Sequence, residues 1–184
     1  AGSLSVHRLY LDLKAQGLGV AKDALHAMMG HLQDAFLISA VTLATDSERR
    51  RNSNPRKVYP VDTGLISAFD RSGRTNAGHA IETVVLHELQ RRKAEIGYVR
   101  TTKGYEVDFH ARFPDGKEEL IQVCADTGSG ETIEREMRAM KDAAADFPRA
   151  QQRFLMFTLD QLSAITVQGI VIQPVYEWLV SEKI

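Results

Sequence analysis

Two short runs in the second half of the chain carry side chains that could bind a divalent cation. They are EVDF at residues 106–109 and LIQVC at residues 120–124, and both alternate between polar and apolar residues. Because successive side chains of a β-strand point to opposite faces, Glu106 and Asp108 share one face of the first strand, and Gln122 lies on one face of the second. A carboxylate on one strand of a hairpin, opposite an oxygen donor on the next, is a suitable site for a hard divalent cation.

Glu82 and Cys124 extend this candidate site, and the sequence leaves their roles open. Glu82 lies on a predicted helix and could add a third oxygen, but its apolar neighbours equally fit a carboxylate that caps the helix or pairs with an arginine. Gln122 could bind a metal or satisfy backbone groups. Cys124 follows on the same face as Gln122. A lone cysteine is most often a small buried hydrophobe, and no His or Cys stands nearby at the spacing of a zinc site.

Hydrophobic periodicity predicts the elements that must position these residues. The turn sequence PDG at residues 114–116 is typical of a hairpin connection. In chain order the predicted elements are a helix over 77–94, strands over 98–102, 105–112 and 119–125, a helix over 131–145, two buried strands in RFLMFTL and QGIVIQPV, and a closing helix over 176–182. A mixed sheet flanked by helices in this order would expose the hairpin to a ligand.

The first third of the chain has a different pattern. Apolar residues at helical spacing predict helices over 4–16 and 21–34, joined by a tight Gly turn, with Leu25, Met28, Met29 and Leu32 facing inward in the second helix. Strands are predicted over 36–43 and 57–61, and the polar run DSERRRNSNPRK stands between them in the position of a wing. Residues 4–62 are therefore predicted to form a winged-helix-like unit. A short helical turn follows from residue 62, and DRSGRTNAG, residues 70–78, is predicted as a linker or mobile loop.

The run between the two predicted wing strands is strongly basic. Five positive charges fall within nine residues, on Arg49, Arg50, Arg51, Arg56 and Lys57. Charge runs are usually solvated loops, yet a loop in this position could contact the phosphates of nucleic acid, each contact adding salt-dependent affinity. It could equally dock on an acidic protein surface. The sequence does not choose between these interpretations.

The ordered set of motifs resembles the PD-(D/E)XK nuclease superfamily: a helix glutamate, EVDF, QVC on the next strand and a helix beginning TIEREMRAM. More closely, NPRKVYPVDTGL, AIETVVLHEL, EVDF, IQVC and YEWLV are similar to an uncharacterised C-terminal domain attached to many prokaryotic AAA+-type ATPases. The resemblance spans nearly the whole chain. It implies an α/β fold with a winged-helix-like unit over residues 4–62 and a mixed-sheet, nuclease-like core over 63–184.

The resemblance also assigns roles to the candidate residues. It implies that Glu82, Asp108 and Gln122 are metal ligands for Mg²⁺ or Mn²⁺, with the Val123 carbonyl as a further ligand, and that Cys124 occupies the position of the catalytic lysine. A thiol cannot replace an ammonium group in stabilising developing charge, and an amide in place of a carboxylate weakens Mg²⁺ binding. The expectation is a degenerate nuclease fold that binds nucleic acid or a protein partner. The alternative is an active metal-dependent DNA endonuclease in which another cationic side chain replaces the motif lysine. The candidates for that side chain are Lys103, Lys117, Lys141 and Arg135.

Composition limits the remaining possibilities. The chain has 184 residues, 43% hydrophobic and 26% charged, with a net charge of -1 and one cysteine, which cannot form an internal disulfide and fits a cytoplasmic setting. No apolar run approaches the ~20 residues of a membrane helix. The opening residues Ala1-Gly2-Ser3 suggest a tag scar, so the chain is expected to be a fragment attached to an ATPase module. It contains no phosphate-loop sequence, and we therefore expect no ATP site in these residues.

Overall fold

A computed structural model describes residues 2–69, 77–125, 130–157 and 167–181. Helices and strands alternate along the chain, which confirms the α/β prediction. The chain divides into two compact units, residues 1–74 and 75–184. The predicted linker 70–78 lies outside the described residues except for Ala77 and Gly78, which begin a helix. The winged-helix-like and nuclease-like descriptions of the two parts remain predictions.

The first unit combines helices with a small antiparallel sheet in the strand order β1-β3-β2. Its elements are β1 (Gly2–Leu4), α1 (Val6–Ala15), α2 (Lys22–Asp34), β2 (Ile38–Leu43), α3 (Glu48–Ser53), β3 (Arg56–Pro60) and α4 (Thr63–Phe69). The run predicted as a wing loop contains the helix α3. Ser47 caps this helix, because its hydroxyl accepts a hydrogen bond from the backbone N–H of Arg50.

The apolar face of α2 is only partly buried. Leu25 is buried and Met29 half-buried, as predicted, but Met28 is 54% exposed and Leu32 is 39% exposed. The prediction that all four side chains face inward is therefore wrong for Met28 and Leu32. Helical periodicity identifies an apolar stripe, but it does not say how much of the stripe a neighbouring element covers.

The second unit is built on a five-stranded mixed sheet. Its elements are α5 (Ala77–Arg91), β4 (Glu95–Arg100), β5 (Glu106–Arg112), β6 (Glu118–Cys124), α6 (Gly130–Asp146), β7 (Gln151–Met156), β8 (Ile170–Pro174) and α7 (Val175–Val180). The strand order is β4-β5-β6-β7-β8. The β4–β5 and β5–β6 pairs are antiparallel, and the β6–β7 and β7–β8 pairs are parallel, with α6 connecting β6 to β7.

The hairpin of β5 and β6 lies in the middle of this sheet. Phe109 and Ile121 face each other across it and are fully buried. Gly116 closes the turn with a φ of 83°, a left-handed conformation that favours glycine and matches the predicted PDG turn. Because the register is fixed by these buried pairs, the face on which each polar side chain of the hairpin lies is fixed as well.

Candidate functional site

Asp108 and Gln122 are neighbours across β5 and β6. The register pairs Phe109 with Ile121, so the next residues along the two strands are Asp108 and Gln122, whose side chains share one face. The Gln122 side-chain oxygen Oε1 accepts a hydrogen bond from the backbone N–H of Asp108 at 3.2 Å. The carboxylate oxygen Oδ2 of Asp108 accepts from the backbone N–H of Val123 at 3.0 Å. We call this reciprocal pair of hydrogen bonds the strand clasp.

Both side chains of the strand clasp are buried, Asp108 at 7% exposure and Gln122 at 5%. A buried backbone N–H without a partner costs about 1–3 kcal/mol, so each side chain removes a penalty from the opposite strand. The amide of Gln122 also places no second negative charge beside the Asp108 carboxylate. Both hydrogen bonds of the strand clasp thus join protein groups to each other. The structure has the arrangement in which Gln122 satisfies a backbone N–H group, one of the two alternatives that the sequence left open.

The oxygens expected to hold Mg²⁺ or Mn²⁺ are thus partly committed to backbone N–H groups. Within the described residues there is no group of three or more His, Cys, Asp or Glu side chains that could hold a metal ion. The predicted set contains two such residues, Glu82 and Asp108, with the amide Gln122. Glu82 is half-buried in α5, and its approach to Asp108 stays a prediction. Two carboxylates are as many as Mg²⁺ usually takes from a protein, so this set stays a predicted site of weak binding.

Cys124 ends β6 on the same face as Gln122 and is 5% exposed. The structure therefore places the predicted lysine position at the edge of the strand clasp, filled by a buried thiol. Glu106 begins β5 on the same face but is exposed. Of the predicted residues, Asp108, Gln122 and Cys124 are brought to one face of one hairpin.

The candidate replacements for the missing lysine differ in position. Lys103 pairs with Asp142 on α6 at 2.5 Å, and Lys117 pairs with Asp115 in the hairpin turn. Lys117 is five residues from Gln122 along the chain, a distance of roughly 17 Å at ~3.3 Å per residue. Lys141 is exposed on α6.

Arg135 is paired with its neighbour on α6. The pKa of its guanidinium is raised, chiefly by a hydrogen bond to Glu136. Its side chain is 66% exposed. The helix that carries it packs against β5 and β6, so Arg135 stays a candidate for the missing lysine.

His110 is a buried polar residue of this face that the sequence analysis did not single out. It is 7% exposed, and its ring centroid lies 4.3 Å from that of Phe147. Burial lowers the pKa of its imidazole, while the neighbouring carboxylate of Glu118, 3.2 Å away, acts in the opposite direction. The signal was present in the alternation, because His110 stands two residues after Asp108 and so shares its face.

The basic run divides into exposed and buried members. Arg49, Arg50, Arg51 and Arg56 are exposed, and we call them the arginine cluster. Lys57 is only 3% exposed in β3, where it faces Val41 across the β2–β3 pair. Its burial makes Lys57 a poorer candidate for a phosphate contact than the four exposed arginines, and its contact with nucleic acid stays a prediction.

Comparisons of the chain with protein-family models, with curated proteins and with solved structures find no match. The family resemblance consequently depends on the sequence motifs and on what the geometry supports. Among the described helices, none has the length and apolar character needed to cross a membrane.

Proposed function

We propose that the chain is an accessory domain of an AAA+-type ATPase, with a degenerate PD-(D/E)XK nuclease-like core that binds nucleic acid or a protein partner. The observation that carries this proposal is the strand clasp: Asp108 and Gln122, the predicted metal ligands, bond to backbone N–H groups of the facing strand. Because the side chains of this site already accept hydrogen bonds from the backbone, its stability depends less on a bound cation.

The order of elements supports the nuclease-like part of the proposal. The succession α5, β4, β5, β6, α6, β7 places an antiparallel three-stranded meander before a helix and a parallel fourth strand. This order agrees with the motif order of the superfamily that the sequence resembles. The winged-helix-like part is supported by α1, α2 and the antiparallel pair β2–β3, with α3 in the place of the wing.

The loss of catalysis follows from two residue types. Metal-assisted phosphodiester hydrolysis needs a cation that polarises the phosphate and activates water, and a side-chain donor that stabilises the developing charge. Gln122 withholds a negative charge from the cation, and Cys124 offers only a weak donor. Losing one charge-stabilising donor commonly lowers the rate by ~10²–10³-fold.

Binding is assigned to the arginine cluster. Arg49 and Arg50 stand in consecutive positions of α3 and are exposed, while Arg51 donates a hydrogen bond of 2.6 Å to the Thr45 carbonyl and so holds α3 to the preceding loop. A fixed helix that carries exposed guanidinium groups suits phosphates of duplex DNA, and it equally suits an acidic face of the ATPase module.

An equilibrium titration distinguishes the two binding partners. Wild-type protein and the variant Arg49→Glu/Arg50→Glu are titrated with labelled duplex DNA over a range of salt concentrations. We expect the reversal to weaken binding and to lower the slope of log affinity against log salt. The matched control is Lys14→Glu/Arg8→Glu, which reverses two exposed charges on α1. Absence of wild-type binding at low salt would assign the arginine cluster to a protein partner.

The alternative function is an active divalent-metal-dependent DNA endonuclease. The observation that favours it is the place of Arg135 on α6, the helix that packs against β5 and β6, because a guanidinium group on this helix could supply the missing positive charge. In this alternative Glu82, Asp108 and Gln122 would hold Mg²⁺ or Mn²⁺ weakly. Cleavage that is lost in both Asp108→Ala and Arg135→Ala would establish it.

A further inference from the structure

An open cavity of about 390 Å³ lies in the first unit, between the start of α1, one side of α2 and the connection from α3 to β3. This volume is within the range of small-molecule sites, roughly 300–1,000 Å³. Its basic and amide side chains are those of His7, Lys22, His26, Gln33, Asn52, Asn54 and Arg56. Among the described residues that line the cavity there is no Asp or Glu. The cavity therefore has a positive wall without an internal counter-charge.

The cations of this wall are not used for holding the fold together. Within the part of the chain that the structure describes, neither Lys22 nor Arg56 forms a salt bridge. Other cations are committed within the fold: Lys103 pairs with Asp142, and Arg153 makes a bidentate contact with Glu119. Because Lys22 and Arg56 line one cavity whose described lining residues include no carboxylate, both cations are available to an anionic ligand there.

The cavity also has fixed and apolar parts. The Asn54 side chain donates a hydrogen bond of 2.7 Å to the Arg50 carbonyl, which holds the end of α3 in place. Arg56 stands opposite Leu4 in the β1–β3 pair, so the backbone that carries its guanidinium is held in a sheet. Leu4, Met29 and Val58 supply apolar surface beside the polar groups. A ligand with both an anionic and an apolar portion matches this lining.

We propose that this cavity binds a phosphate ester, with Lys22 and Arg56 as its principal phosphate contacts and the His7 and His26 imidazoles as neighbouring donors. Arg presents a planar fork of donors that matches phosphate oxygens, and Lys adds a compact charge. The ester could be a free nucleotide or the backbone of a nucleic acid strand, since both present the same group. The proposal does not depend on the strand clasp or on Arg49 and Arg50, but it shares Arg56 with the arginine cluster and to that extent rests on the proposed function.

The test follows the imidazole NMR signals of His7 and His26 in the full chain at low ionic strength. The probes are inorganic phosphate, thymidine 5′-monophosphate and a short oligothymidylate without terminal phosphates. We expect the monophosphate, the oligothymidylate or both to shift the two signals in a saturable way. The variant Lys22→Gln/Arg56→Gln should lower the affinity by about tenfold or more. Lys14→Gln, an exposed lysine of α1 outside the cavity, should leave it unchanged.

The outcomes separate the two sources of the phosphate. Tighter binding of the monophosphate identifies a free nucleotide, and tighter binding of the oligothymidylate identifies a nucleic acid strand. Arg49→Glu/Arg50→Glu should retain monophosphate binding, so loss of duplex binding in that variant leaves this proposal intact. Thermal unfolding checks that the double variant folds, and Lys22→Gln alone replaces it if it does not. The proposal is overturned if no probe shifts the His7 and His26 signals, or if the cavity variant binds like the wild type.

Discussion

The backbone N–H of Asp108 donates to the side chain of Gln122, and this hydrogen bond joins two strands at the point where their ordinary pairing ends. The Asp108 carboxylate in turn accepts a hydrogen bond from the backbone N–H of Val123. The neutral amide of Gln122 can lie beside the Asp108 carboxylate without a metal, whereas two carboxylates side by side would repel each other. We therefore expect the identity of residue 122 to determine whether the hairpin is stable without a cation.

Replacing Gln122 with glutamate should make the protein dependent on a divalent cation. The substitution places a second buried carboxylate beside Asp108, and we expect a loss of about 1–3 kcal/mol of unfolding free energy without metal. Mn²⁺ should restore part of this loss and should not stabilise the wild type. The measurement is chemical unfolding with and without Mn²⁺. Gln90→Glu, the same change at an exposed position of α5, is the control and should show no metal dependence.

Arg92 should be a strong determinant of stability. Its guanidinium lies 4.4 Å from the centroid of the Trp178 ring and donates to the carbonyls of Trp178 and Ser181 at the end of α7. It also bonds to Glu88 at 2.6 Å, and its side chain is only 8% exposed. Arg92→Ala should cost about 2–4 kcal/mol of unfolding free energy. Arg91→Ala is the control; its side chain is 59% exposed, and the effect should be much smaller. Equal losses would contradict this assignment.

The same network gives a structural role to one of the motifs on which the family resemblance depends. Trp178 belongs to the sequence YEWLV and is 1% exposed. The sequence indicated a closing helix but not its partner, because Arg92 is 86 positions away and its contacts are set by tertiary packing. A motif that resembles a family signature is in this case a structural anchor of α7 on α5.

Glu88 should make stability depend on acid pH. A hydrogen bond from Arg91 is the largest cause that holds the pKa of Glu88 below its ordinary value of 4.5; burial opposes it, and Arg92 adds to the lowering. Because the folded pKa lies below the unfolded one, the stabilisation is present above about pH 4.5 and is lost as the pH falls through the folded pKa. Glu88→Gln should therefore be less stable at neutral pH, and its stability should fall less steeply in acid. Urea unfolding at several pH values measures this, and parallel acid limbs in the two proteins would show that Glu88 does not contribute.

Helix ends show why some boundaries followed from the sequence and others did not. Three helices end with the same two backbone hydrogen bonds: the N–H of a residue with left-handed backbone bonds to the carbonyl three residues back, and the next N–H bonds to the carbonyl five residues back. The left-handed residue is Gly17 after α1, Phe36 after α2 and Lys93 after α5. Glycine is the usual residue in this position, so the end of α1 could be predicted to within a residue. The end of α5 was placed at residue 94 instead of Arg91, because Lys93 gives no such signal.

The candidate site was predictable in its face but not in its contacts. Period-two alternation placed Asp108, Gln122 and Cys124 together, and the register of β5 and β6 bears this out. The reciprocal hydrogen bonds could not be predicted, since they depend on where the two strands stop pairing. Lys57 in the first unit is a second example. A run of charged residues predicts exposed side chains, and the burial of Lys57 becomes evident only from its place in the β2–β3 pair.

Metal-dependent DNA cleavage tests the central claim most directly. Purified protein is incubated with linear, nicked and branched DNA in the presence of Mg²⁺ or Mn²⁺, beside Asp108→Ala, Arg135→Ala and the restoring variant Gln122→Glu/Cys124→Lys. We expect the wild type to cleave no more than Asp108→Ala, because the strand clasp holds one negative charge and Cys124 supplies no cation. Robust cleavage by the wild type that is abolished by Asp108→Ala would contradict this account and would show that the site is an active nuclease centre.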